Sequence, residues 1–144
     1  MAIMSMDRLT PEQRSRNMAQ IKSYGTKPEI IVRSQLHRMG YRFRLHVKTL
    51  PGNPDIVLPR YKAVIFIHGC FWHKHDCAEG RRVPKSNTEY WTSKIECNVC
   101  RDEKNIKLLQ AQGWNIFIVW ECMTRELLSL QNILSDFLRE VIKK

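Results

Sequence analysis

The sequence predicts an α/β domain in which helices flank one mixed central β-sheet. Two short runs, Ala63-Val-Ile-Phe-Ile67 and Trp114-Asn-Ile-Phe-Ile-Val-Trp120, are almost wholly apolar and rich in β-branched and aromatic residues. That is the pattern of strands covered on both faces. Segments with helical spacing and helix-start residues surround them. No linker, repeat or low-complexity tract interrupts the 144 residues, so one domain over 1–144 with a single core is expected.

Thr10-Pro-Glu-Gln13 places a capping residue, a first-turn proline and a capping-box glutamine in order. It opens a helix that carries Arg14, Arg16 and Lys22 beside Met18 and Ile21 and ends at Ser23-Tyr-Gly25. Residues 1–9 are expected to order only on a bound partner. Thr26-Lys-Pro-Glu29 repeats the start pattern, and a second helix runs to about Met39 with Gly40 as its stop. Val32, Leu36 and Met39 share one face of it. Tyr41-Arg-Phe-Arg-Leu45 alternates and reads as a half-exposed strand. Asp55 to Leu58 is a short strand, Pro59 to Lys62 a turn, and Ala63 to Ile67 the central strand. A long loop follows from Gly69 to about Asn87, and loops of this length usually carry function. Trp91 to Gln112 reads as a helix closed by Gly113, Trp114 to Trp120 as a second buried strand whose two tryptophans are core, and Leu127 to Ile142 as an amphipathic last helix.

Lys and Arg number 24 against 14 Asp and Glu, a net charge of +10. An excess of this size implies an anionic partner. Nucleic acid comes first because each neutralised phosphate releases counterions, and an anionic membrane surface second. No stretch approaches the roughly 18 apolar residues of a membrane span, and Met1 to Asp7 lacks the basic start and apolar run of a signal peptide. A cytoplasmic protein is expected, with its five cysteines reduced and their clustering read as metal ligation.

The densest chemistry is His68-Gly-Cys-Phe-Trp-His-Lys-His-Asp-Cys77, which holds three imidazoles and two thiols around an aromatic pair. Cys70, His75 and Cys77 offer three soft-metal ligands in one loop, and Cys122, just after a buried strand, could supply a fourth. Four protein ligands would close the site and make it structural. Cys97-x-x-Cys100 shares a helix face and offers another fourth ligand or a second site; two ordinary half-buried thiols is the plainer reading. Asp55, entering a strand after Pro54, is placed to hold a hard cation such as Mg²⁺. His68 ends the central strand near it. His68 and His73 read either as a general base and a phosphate contact or as further metal or backbone partners. The strand-held Pro-Asp pair resembles the first half of a nuclease motif whose second half, an acid and a lysine, is missing at Ile67-His68-Gly69. Phe71, Trp72 and Trp91 are large rings on a basic chain and could wedge between base pairs. Packing is their usual fate.

Taken together, Leu50-Pro-Gly-Asn-Pro-Asp55, Val64-Ile-Phe-Ile-His-Gly-Cys-Phe-Trp-His73, Thr88-Glu-Tyr-Trp91 and Val119-Trp-Glu-Cys122 resemble the very-short-patch repair (Vsr) endonucleases. The likeness spans most of the chain, from Arg14 to Cys122. It implies a restriction-endonuclease-like fold and a Mg²⁺-dependent nick beside the thymine of a T:G mismatch, the product of 5-methylcytosine deamination. By the resemblance, Asp55 binds Mg²⁺ with the Ile67 main-chain carbonyl. His73 activates water, assisted by Glu29, and His68 contacts the scissile phosphate. Cys70, His75, Cys77 and Cys122 hold structural Zn²⁺. Phe71, Trp72 and Trp91 form the wedge, and Met18, Lys94 and Asn98 approach the mismatch from its sides. Ile67 stands where the family often has Thr, and a main-chain contact would tolerate it. The resemblance further implies a monomer that acts on double-stranded DNA in the bacterial cytoplasm, at the nucleoid, without membrane contact, ahead of a repair polymerase and mismatch-repair proteins. Two rivals remain: a sequence-specific restriction or homing-type nuclease cutting matched DNA on the same fold, and a non-catalytic zinc-dependent DNA-binding module.

Overall fold

The computed structural model describes residues 26–143. The helix expected from Thr10, the position of Met18 and the state of residues 1–9 lie outside them. The described chain runs α1 (Lys27–Arg38), β1 (Arg44–Leu45), β2 (Ile56–Leu58), a 3₁₀ turn (Pro59–Tyr61), β3 (Ala63–His68), α2 (Thr88–Ala111), β4 (Asn115–Trp120), a second 3₁₀ turn (Glu121–Arg125) and α3 (Leu127–Lys143). The four strands form one sheet in the order β1-β2-β3-β4. The first two pairings are antiparallel and β3–β4 is parallel. The α/β class with a mixed sheet is therefore as expected.

Alternation along the strands sorts the sheet into two faces. Ile56, Leu58, Ala63, Ile65 and Val119 pack with Val32 and Leu36 of α1 and with Leu130, Leu134, Leu138 and Val141 of α3. The α3 residues recur at helical spacing, which is why one stripe of that helix is buried. Val57, Val64 and Phe66 face the other way, onto Leu109 of α2. His68 continues the Val64–Phe66 parity and Asp55 the Val57 parity. Both therefore belong to the α2 side of the sheet, where β2 begins and β3 ends.

Several boundaries differ from the sequence reading. The strand expected over Tyr41 to Leu45 shrinks to Arg44–Leu45. The end of α1 uses the first part of it: Gly40 takes φ 87°, and the Tyr41 N–H donates to the Leu36 carbonyl at 3.0 Å, tying Tyr41 to the helix cap. Helix α2 begins three residues before Trp91, at Thr88. Trp114 and Trp120 are half-buried rather than core; the Lys62 ammonium lies over the Trp114 ring, and Trp120 has a site role described below. Among the described residues, no helix is long and apolar enough to cross a membrane.

Candidate active site

Where β2 begins and β3 ends against α2, Asp55, Ile67, His68, His73, Arg101 and Asp102 line a cleft of about 360 Å³. Each side chain arrives there for a local reason. Asp55 precedes β2, and its Oδ2 accepts the Ile67 N–H at 2.7 Å, which fixes the carboxylate across the strand pair. Burial pushes its carboxyl up to about 6; the Ile67 N–H opposes this and nearby Glu29 adds to it. A carboxylate that dislikes being charged alone is one that a cation would stabilise.

His68 closes β3 and is buried. Burial lowers its imidazole to about 4, helped by the adjacent His73 and opposed by Asp102, so it is neutral near pH 7. Its Nδ1 has no hydrogen-bond partner among the described residues. A buried nitrogen at the wall of a cleft can bond to a water or ligand that enters the cleft. His73 stacks on His68 with centroids 3.9 Å apart. Its Nδ1 lies 2.5 Å from Asp102 Oδ2. That contact fixes the ring and leaves Nε2 without a hydrogen-bond partner among the described residues.

Asp102 on α2 was not singled out in the sequence, because nothing local marks an acidic residue in a charged helix as the partner of a histidine 29 positions away. Glu29, which the resemblance has assist His73, has its Oε2 3.1 Å from His46 Nε2 and 3.3 Å from Arg33. It is buried and belongs with His46 and Asp55, each offering a ligand atom within 4.8 Å of the others. Thr26 caps α1 without a side-chain hydrogen bond, so the Thr26–Glu29 pattern marked the helix start but not the destination of the carboxylate. His46, too, was missed.

Beside the cleft, Cys70, His75, Cys77 and Cys122 form a second group whose ligand atoms all lie within 4.8 Å of one another. The loop folds back on itself to make it: His75 N–H donates to the Cys70 carbonyl at 2.9 Å, and Cys77 N–H to the His75 carbonyl at 2.9 Å. Cys122 arrives from the turn after β4, its Sγ 3.5 Å from His75 Nδ1. A tetrahedral ion with bonds of about 2.3 Å to sulfur and 2.0 Å to nitrogen holds such a pair about 3.5 Å apart. Three sulfurs and one imidazole fit a soft or borderline ion. Burial drives the Cys70 thiol up to about 12, a cost that a cation would reverse. The Gly80 N–H, 3.4 Å from Cys77 Sγ, is the main cause lowering the Cys77 thiol. Gly80 has no room for a side chain, since a Cβ would fall 1.8 Å from the His75 carbonyl oxygen. Cys97 and Cys100 are both exposed, not half-buried, and stand outside every such group among the described residues.

The two groups share a wall. His75 stacks on Trp120 with centroids 4.3 Å apart, and Trp120 and His68 meet edge to face with centroids 5.2 Å apart. The wedge candidates form their own cluster. Phe71 and Trp91 are buried with Ile95, and Trp72 and Val99 pack against them half-exposed. The Arg82 guanidinium covers Phe71 at 4.8 Å, and Asn98 donates to the Trp72 carbonyl at 3.1 Å. Lys94 lies one turn before Asn98 on α2, half-buried.

A family model described as "DNA mismatch endonuclease Vsr" matches residues 6–79. Among curated proteins, the chain is 50% identical to the type II nicking enzyme V.XorIIP of Xanthomonas oryzae over 132 residues, 92% of this chain and 96% of that protein. It is 46% identical to the DNA mismatch endonuclease Vsr of Escherichia coli over 112 residues, 78% of this chain and 71% of that one. The type II nicking enzyme V.HpaIIP of Haemophilus parainfluenzae is 45% identical over 116 residues, 80% and 82% of the two chains. With the mixed sheet, the acid-and-imidazole cleft and the cysteine knot in place, the chain belongs to the Vsr family of endonucleases, with the restriction-endonuclease-like fold which that implies.

Proposed function

We propose that this endonuclease nicks one strand of duplex DNA on the 5′ side of the thymine in a T:G mispair, using Mg²⁺ at Asp55 and a structural Zn²⁺ in the Cys70-His75-Cys77-Cys122 knot. The observation that carries the reading is one cleft shared by Asp55, His68, His73 and Asp102. Asp55 and the Ile67 carbonyl would hold the catalytic cation, with Glu29 behind Asp55. When bound, the ion supplies Lewis-acid stabilisation of charge developing on the phosphoryl oxygens.

The chain's own residues do the rest. Asp102 accepts the Nδ1–H of His73, so Nε2 is left as the acceptor that takes the proton of the attacking water. Neutral, buried His68 can turn an N–H toward a phosphate oxygen without carrying a charge of its own. In-line attack leaves a 5′-phosphate and a 3′-hydroxyl. The +10 charge draws the protein to the duplex. Trp72 is the half-exposed ring and leads the insertion, backed by Phe71 and Trp91. Unstacking costs about a few kcal/mol per step and least at a mispair, so the wedge favours mismatched DNA. Lys94 and Asn98 flank the wedge from α2, and the resemblance gives Met18 a contact beside the mismatch as well. Resynthesis falls to a separate polymerase and repair proteins, in the bacterial cytoplasm at the nucleoid.

Strand-resolved nicking of T:G and fully paired duplexes with Mg²⁺ tests the reading. A Mg²⁺-dependent nick confined to the thymine strand of the mispair supports it. Equal cutting of the paired duplex would favour a sequence-specific nuclease, and no product at all a binding module.

A further inference from the structure

His46 has no part in the reading above, yet it sits between the two carboxylates at the edge of the cleft. Its Nε2 is 3.1 Å from Glu29 Oε2, and its Nδ1 is 3.9 Å from Asp55 Oδ1. The other Asp55 oxygen is committed to the Ile67 N–H, so Oδ1 is the oxygen that faces the imidazole. The backbone holds the ring there. His46 takes φ 50°, a left-handed conformation uncommon for a side-chain-bearing residue. Its N–H donates to the Asp55 carbonyl at 3.1 Å. The residue assigned to the cation therefore also anchors the histidine. One ligand atom from each of Glu29, His46 and Asp55 lies within 4.8 Å of the other two. Adjacent ligands of an octahedral ion with bonds of about 2.1 Å are about 3 Å apart, and the Glu29–His46 separation already has this value.

We infer, building on Asp55 as the cation ligand, that His46 is a nitrogen ligand of the same ion and makes the centre favour a first-row transition metal such as Mn²⁺ over Mg²⁺. Magnesium demands oxygen ligands and gives up its water reluctantly, so an imidazole adds little to its affinity. Transition ions gain from a nitrogen donor. Two carboxylates and a neutral imidazole balance a dication, and coordination asks only that one ring nitrogen present its lone pair. The His46 side chain is 26% exposed, so an ion reaches it without the backbone opening. Until then the contact with Glu29 keeps the ring oriented.

The test is Mn²⁺ titrated into the full-length protein without DNA, followed by electron paramagnetic resonance, with spin-echo modulation reporting any directly bound ¹⁴N. The wild type should bind Mn²⁺ with imidazole ¹⁴N coupling. His46→Gln should lose the coupling and weaken Mn²⁺ by about tenfold or more, the usual cost of a lost metal-site partner, while the Mg²⁺ affinity read from competition changes little. Asp55→Ala should abolish binding. Mn²⁺ binding that ignores Asp55→Ala would overturn the reading of Asp55 itself. Asp55-dependent binding without ¹⁴N coupling would overturn the role of His46 alone. So would coupling that persists in His46→Gln, which would assign it to His68 or His73.

Discussion

Replacing Asp102 by Asn isolates the contribution of the contact that orients the proposed base. The carboxylate lies 2.5 Å from His73 Nδ1, and the two side chains are 24% and 23% exposed. A hydrogen bond to a charged group contributes about 1.5–3 kcal/mol when well shielded. Partial exposure moves the expectation toward the lower half of that range, about 2 kcal/mol. At 1.36 kcal/mol per tenfold, that is a loss of about 30-fold from orientation alone. An Asn that turns its amide N–H toward Nδ1 does more harm: it forces the proton onto Nε2 and removes the acceptor that faces the cleft. The loss then approaches the whole general-base contribution, about 10²–10⁴-fold. Single-turnover nicking of a T:G duplex at saturating protein reads this directly, and gel-shift affinity for the same duplex should stay unchanged. A rate within about threefold of wild type, well short of that orientation loss, would refute the assignment of His73, held by Asp102, as the base.

Other perturbations reach different parts of the structure. Gly80→Ala drives a Cβ into the His75 carbonyl and should strip the knot of metal. Native mass spectrometry should then show loss of one zinc, and a retained zinc would mean that the loop is not the metal's cage. With its carboxyl raised to about 6, Asp55 is protonated below that pH and cannot hold a cation, so Mg²⁺-dependent nicking should rise through about pH 6. Proton and cation compete for the same oxygens, and more Mg²⁺ should move this limb to lower pH. A limb that ignores Mg²⁺ would contradict the assignment of Asp55. Trp72→Ala should reduce the preference for T:G over paired duplex, by the roughly 1–3 kcal/mol of a lost base–aromatic stack, while general DNA affinity holds. Unchanged discrimination would return that ring to ordinary packing.

The fold was legible wherever one segment settles its own state. The apolar run Ala63 to Ile67 could only be a covered strand, and β3 differs from it by a single residue at its end. The start of α1 and the stripe of α3 were equally local. Boundaries failed where two elements compete for the same backbone, as at Tyr41, whose N–H goes to the helix end and not to a strand. The Cys70-His75-Cys77-Cys122 grouping was legible because three of the four share one loop. The partners of the catalytic candidates were not. Asp102 meets His73, and His46 meets Glu29 and Asp55, only once the sheet and α2 are assembled. Gly80 carries no chemistry of its own and matters only because the His75 backbone passes where its Cβ would be.

In the proposed mechanism hydrolysis depends on Asp55, in a cleft distinct from the cysteine knot that shapes the loop. The most direct measurement is single-turnover nicking of a T:G duplex by Asp55→Ala, with bound zinc and mismatch affinity measured on the same sample. The expected result is a loss of roughly 10³-fold or more, the several kcal/mol of a catalytic cation, with zinc and affinity intact. Nicking near the wild-type rate would contradict the claim, as would zinc and binding lost along with activity.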